Sequence, residues 1–175
     1  RPFNRHVHCR GGWFYDYIIP IYTGRCTPFM ILQVIAATFA VASFSILFSV
    51  PKDQCILAAL NGGIAWFSYL FLSQLGAGPA VSSLGATLLL TLLARLFALH
   101  RKHPVTIYLM AGIFPLVPGS GIYYTSYYFI MSDMESFVAK GTETFKVAGA
   151  IALGIIFGFA LPQKFLLFAR RKFPY

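Results

Sequence analysis

The chain is 175 residues long, 58% hydrophobic, 17% aromatic and only 11% charged, with a mean hydropathy of +0.70. Soluble domains carry roughly 25% charged residues, so the charge here is too sparse to coat a water-facing surface. The formal net charge of +9 falls between and after apolar runs, where basic side chains meet anionic headgroups. That placement points to a lipid bilayer as partner and away from nucleic acid.

Residues 1–29 begin with arginine, show no helical or strand period, and carry Arg1, Arg5, Arg10 and Arg25. They lack the continuous apolar region and small-residue cleavage site of a signal peptide. The reading is that Met30 is the native start and that 1–29 form an upstream or non-native extension. His6, His8 and Cys9 stand close together there, but zinc wants four ligands on a structured scaffold, so no metal is expected. Cys9, Cys26 and Cys55 form no CxxC pair, and their odd number argues against a closed disulfide framework.

Residues 30–175 read as an all-α, polytopic integral membrane bundle. Uncharged or nearly uncharged stretches at 30–50, 55–74, 80–99, 105–131 and 147–168 are each long enough to cross a bilayer, which takes about 20 residues. Residues 51–54 read as a polar turn between the first two spans, and 75–79 as the break after the second. A basic cluster, His100-Arg101-Lys102-His103, closes the third. A polar loop carrying Asp133, Glu135 and Glu143 separates the last two. Positive-inside reasoning places Lys52, Arg101, Lys102 and the basic end at 170–172 in the cytoplasm, and the acid-bearing loop outside.

The fourth span is interrupted by Pro115, Pro118, Gly119 and Gly121. Two prolines remove backbone donors, while glycine tolerates backbone angles closed to other residues. In hydrocarbon a freed carbonyl is costly, so broken backbone at membrane depth survives only where protein buries it or water fills a cavity. Transporters aim such half-helix ends at substrate. If a half-helix restarts after Gly119, Ser120 is its N-cap. The N–H groups that follow would face an anion such as a carboxylate, with the hydroxyls of Tyr123, Tyr124, Thr125 and Ser126 nearby. The alternative is a proline-kinked helix with a tyrosine belt at the interface.

Two further residues inside spans invite a role in substrate binding. Arg95 is the charge well inside a span, though its stem is within reach of the cytoplasmic headgroups by snorkelling. Asn61, beside Gly62 and Gly63, serves either as a substrate contact or as an interhelical hydrogen bond at a close crossing. Ala150, Gly154 and Gly158 recur at intervals of four on the last span, a stripe that permits tight helix packing; Ser82 and Ala86 make a weaker one on the third.

Nothing in the chain resembles an enzyme centre. The acids are not paired within a span, and His100 and His103 lack a nucleophile or acid at a defensible spacing. There is neither a phosphate-binding glycine loop nor an H-E-x-x-H motif, so no cofactor is expected.

Taken together, Phe48-Ser49-Val50-Pro51, the basic turn with His103-Pro104, the block Ile113-Phe114-Pro115-Leu116-Val117-Pro118-Gly119-Ser120-Gly121-Ile122-Tyr123 and the closing Arg170-Arg171-Lys172 resemble the threonine/serine exporter (ThrE) family, specifically its short YjjB-type members. The resemblance covers about residues 30–172. It implies a multi-pass protein of the bacterial cytoplasmic (inner) membrane and one subunit of a split exporter, completed by a larger YjjP-type membrane subunit. The cargo implied is a small carboxylate-bearing metabolite, threonine or serine, or a dicarboxylate such as succinate. The competing readings are an assembly protein with no substrate path, and a channel.

Overall fold

The computed structural model describes residues 26–161, with side chains from residue 30 onward. The described residues are all helical, without strands. In chain order they form α1 (Cys26–Leu47), α2 (Lys52–Gln74), α3 (Pro79–Arg101), α4 (Val105–Ile113), a 3-10 turn (Phe114–Leu116), α5 (Gly119–Ile130) and α6 (Met134–Ala160). Four of these helices are long and apolar enough to cross a membrane. The pair 105–116 and 119–130, bent by 50° at its break, makes up to five.

Local chemistry sets the boundaries. Ser49 at φ 54° and Pro51 part α1 from α2, and Gly76 at φ 84° turns the chain after α2. That angle belongs to the left-handed region, which only glycine enters without steric cost. Pro79 opens α3, where a missing N–H costs nothing. Lys102, at φ 57°, ends it in a left-handed cap.

Two expected boundaries move. Residues 52–54 are the first turn of α2 and not a loop, so Gln54 enters the bundle instead of solvent. Glu135 and Glu143, expected in a loop, lie in α6, which starts at Met134. The Asp133 carboxylate accepts from the Ser136 N–H, and Lys140 pairs with Glu143 one turn along. A 27-residue helix is about 40 Å long against a hydrocarbon core of about 30 Å, so its polar first turns extend past the apolar slab. Residues 162–168 of the expected last span lie outside the described residues, as does nearly all of the expected extension at 1–29; α1 itself begins at Cys26.

Helix α2 packs on α1, α3 on α2, and α6 on both α3 and α5; α6 runs parallel to α3, since Gly154 meets Thr87 and Gly158 meets Thr91 one turn on. The short α4 fits between α2 and α3. At one end of the bundle Tyr108 bonds to Gln54 and Arg95 to Gly158; at the other Gln74 meets Met30, and the crossing of Gly121 with Thr144 lies between. The buried core centres on Val41, Ala58, Ala65, Ala86, Leu90, Ala94, Tyr108 and Ala111. Small residues dominate that core because lipid tails are as apolar as leucine, so close backbone approach has to hold the helices together.

Candidate functional site

Pro115 has no N–H for the carbonyl of Ala111, and Pro118 has none for that of Phe114. The Phe114 carbonyl is rescued by the N–H of Val117 at 3.3 Å, a 3-10 bond that tightens the last turn before the break. Phe114 stacks on Phe44 of α1, with ring centroids 4.1 Å apart and planes 9° off parallel, and also meets Phe48 at 5.6 Å. Leu116 is buried. These contacts seat the inner side of the break against α1 and the core.

Its other side is open. Val117 is 45% exposed, Gly119 is exposed, and a Cβ on Gly119 would meet nothing within 4 Å. The 12 residues from 105 to 116 rise about 18 Å from one end of the bundle, which puts the break near mid-membrane. Backbone is therefore uncovered at the depth where hydrocarbon tolerates it least.

Two expectations about this segment are corrected. Ser120 is not the N-cap: α5 starts at Gly119, Pro118 holds the cap position, and no side chain caps the end. Pro118, at φ −76° and ψ 61°, stands just outside the helix, and the helix begins at Gly119, so Ser120 falls in the first turn. Nor do Gly119 and Gly121 use glycine's special angles, since neither has a positive φ. Gly121 matters for room instead. A Cβ there would come within 2.5 Å of the Thr144 hydroxyl, at the crossing of α5 and α6.

The hydroxyls after the break turn back onto their own helix. Thr125 donates to the Gly121 carbonyl at 2.7 Å and Ser126 to that of Ile122 at 3.0 Å. Tyr123 is 64% exposed and meets Tyr124 edge-on at 5.3 Å. The rings of Tyr123, Tyr124, Tyr127 and Tyr128 pack on one another along α5.

Asn61 is fully buried where α2 faces α3 and α4. Its Nδ2 donates to the Leu90 carbonyl at 3.4 Å and lies 3.7 Å from the Cβ position of Gly112, one turn before the break. Its Oδ1 accepts from no group among the described residues. The fold thus brings Asn61 beside the approach to the broken segment.

Arg95 goes elsewhere. It does not snorkel: it is 8% exposed and reaches across to α6, donating from Nη1 to the carbonyls of Gly158 (2.7 Å), Phe159 (3.3 Å) and Leu161 (2.7 Å). The next residue in sequence, Pro162, has no N–H to offer the Gly158 carbonyl. Arg95 supplies the missing donor, with a positive charge at the negative end of a helix.

Ala150, Gly154 and Gly158 are buried on the face of α6 that meets α3. A Cβ at Gly154 would lie 2.9 Å from the Thr87 Cβ and 3.0 Å from the Leu84 carbonyl; one at Gly158 would lie 2.5 Å from the Thr91 methyl. The opposing row is Ser83, Thr87, Thr91 and Arg95, spaced by four and all buried. Its three hydroxyls donate to the carbonyls of Pro79, Ser83 and Thr87 on their own helix. Sequence reasoning passed over these hydroxyls, although their spacing was in plain view. It also missed the buried bond from the Tyr108 hydroxyl to Gln54 Oε1 at 2.6 Å.

Among the described residues no group of His, Cys, Asp and Glu is arranged to hold a metal. Apolar helices of spanning length and one bent helix pair define a multi-pass helical membrane protein. The family model described as "Threonine/Serine exporter, ThrE" matches residues 33–160, and the chain belongs to that family. A probable threonine/serine exporter of Mycobacterium tuberculosis (strain ATCC 25618 / H37Rv) is 25% identical over 141 residues, 78% of this chain and 27% of the relative. The chain therefore spans about a quarter of that relative's length. No solved structure matches.

Proposed function

We propose that this chain is one subunit of a split exporter of small carboxylate-bearing metabolites in the bacterial inner membrane. Threonine, serine and dicarboxylates such as succinate are its candidate cargoes, and a larger YjjP-type membrane subunit is its partner. The observation that carries this reading is the one-sided break at Pro115–Gly121. Its inner side is seated on Phe44 and the core, while its outer side is bare near mid-membrane. Bare backbone at that depth calls for a second protein surface, a wet path, or both. The substrate path in this reading runs past Val117, Gly119 and Ser120 of this chain, with Asn61 behind the break and Tyr123 and Tyr124 beyond it. Arg95 holds α6 in place at the far end of the bundle.

An assembly protein would need the covering surface but no path, and a channel would conduct without coupling to a gradient. The test is efflux of labelled threonine, serine and succinate from cells expressing this chain with and without the larger subunit. Efflux only when both are present is the expected result. Well-inserted protein that moves none of the three, even with the partner, would leave the assembly reading standing.

A further inference from the structure

Arg95 is only half used by the contacts that hold it. All its hydrogen bonds leave from Nη1, so the N–H groups of Nε and Nη2 have no partner among the described residues. No carboxylate among the described residues pairs with it either: the ion pair there is Lys140–Glu143, toward the other end of α6. The carbonyls at a helix C-terminus supply about half a negative charge, which leaves about half of the guanidinium charge uncompensated. A cation 8% exposed in a spanning helix, without a counter-charge among the described residues, is an arrangement that an anion would relieve.

The same residue lines a half-open hollow of about 210 Å³ between the last turns of α3 and the start of α4. Its walls are Arg95, Ala98, Leu99, His103, Pro104 and Val105. Arg95 and His103 thus line the same small space, the other lining residues being apolar, at the end of the bundle that carries Arg101 and Lys102. By the volume of liquid water, about 30 Å³ per molecule, the hollow has room for one phosphate or carboxylate group with some of its carbon skeleton. Basic pockets between spanning helices at this depth are suited to lipid headgroups.

We propose that this hollow is an anion site, with Arg95 and His103 donating to the oxygens of a phosphate or carboxylate whose apolar part rests on Leu99 and Val105. The site stands apart from the export reading and does not depend on which cargo the protein carries. The anion comes either from a lipid headgroup or from a small solute, and the two sources are separable.

The experiment uses the full chain in nanodiscs. In one arm the bilayer mixes phosphatidylcholine with phosphatidylglycerol, and lipid retained after transfer to detergent is counted by native mass spectrometry. In the other, phosphatidylcholine alone is used, and binding of labelled succinate and of inorganic phosphate is measured. His103→Gln removes one donor and Val105→Trp fills the space. Neither touches the Arg95–α6 contact, and thermal melts report whether each variant folds. Preferential retention of phosphatidylglycerol, at least tenfold reduced in both variants, assigns the site to lipid. Succinate or phosphate binding that is reduced in the same way assigns it to a solute. Absence of all three ligands from the folded protein, or binding that both folded variants leave unchanged, overturns the proposal.

Discussion

The carbonyl of Gly158 accepts a hydrogen bond from Nη1 of Arg95 at 2.7 Å, across 63 residues of chain. A proline four residues on cannot serve that carbonyl, so an arginine on a neighbouring helix does. The α3–α6 interface is thus closed at one end by a charge and along its length by glycine against threonine.

Replacing Arg95 should therefore loosen the end of α6 without unfolding the bundle. Arg95→Gln is expected to cost about 1.5–3 kcal/mol, the range for hydrogen bonds to a charged group. Arg95→Lys should recover part of this, since a compact ammonium keeps the charge but not the fork. Denaturant titration gives the magnitude. Hydrogen exchange should localise the loss to residues 155–161.

Gly154 tests the stripe. A β-carbon there meets the Thr87 side chain and, at 3.0 Å, the Leu84 carbonyl, which is backbone and does not swing aside. Gly154→Ala should cost about 1–3 kcal/mol by overpacking. Thr87→Ala in the same chain should return only the part due to the threonine. A double-mutant cycle reads that coupling directly.

The Tyr108–Gln54 bond is buried at both ends. Tyr108→Phe leaves the Gln54 oxygen unpartnered and should destabilise by about 1–3 kcal/mol, whereas Tyr108→Phe combined with Gln54→Leu should come close to neutral. Equal losses in the single and double variants would show that the bond contributes nothing beyond its volume.

Asp133 gives the N-terminal end of α6 a pH dependence. Hydrogen bonding from Ser136 holds its carboxyl below the usual carboxylate range. A group depressed in the folded state stabilises above its unfolded pKa and loses that contribution as pH falls through the folded one. The first turn of α6 should thus be protected from amide exchange near neutrality and fray in acid. Asp133→Asn keeps a capping side chain and should remove the acid dependence.

Much of this architecture was legible in the sequence. Spans announce themselves because hydrocarbon demands about 20 apolar residues, and Pro115 and Pro118 mark the break because proline has no N–H to give. What escaped depended on partners far along the chain. Gln54 looked like a turn residue because its partner, Tyr108, is 54 positions away. Arg95 looked like a snorkelling side chain because the carbonyls it serves become orphans only when α6 ends beside it. The start of α6 was hidden by its polarity. Met134 to Lys146 reads as a loop on hydropathy alone, yet Asp133 caps it and Lys140–Glu143 braces it. Ser120 was expected to cap α5 because serine favours caps, but the proline two residues earlier had already taken that position.

The bare side of the break is where this structure and its proposed export role meet, and Gly119 probes it most directly. A side chain there touches nothing within this chain, so Gly119→Val should leave insertion and melting almost unchanged, within about 0.5 kcal/mol as at other open positions. Gly121→Val, which strikes Thr144, should destabilise instead and serves as the contrasting variant. The measurement is efflux of labelled threonine, serine and succinate from cells making Gly119→Val together with the larger subunit. A broken span facing the partner and the path predicts a stable, inserted protein whose export is abolished; export at the level of the unmodified chain would contradict it.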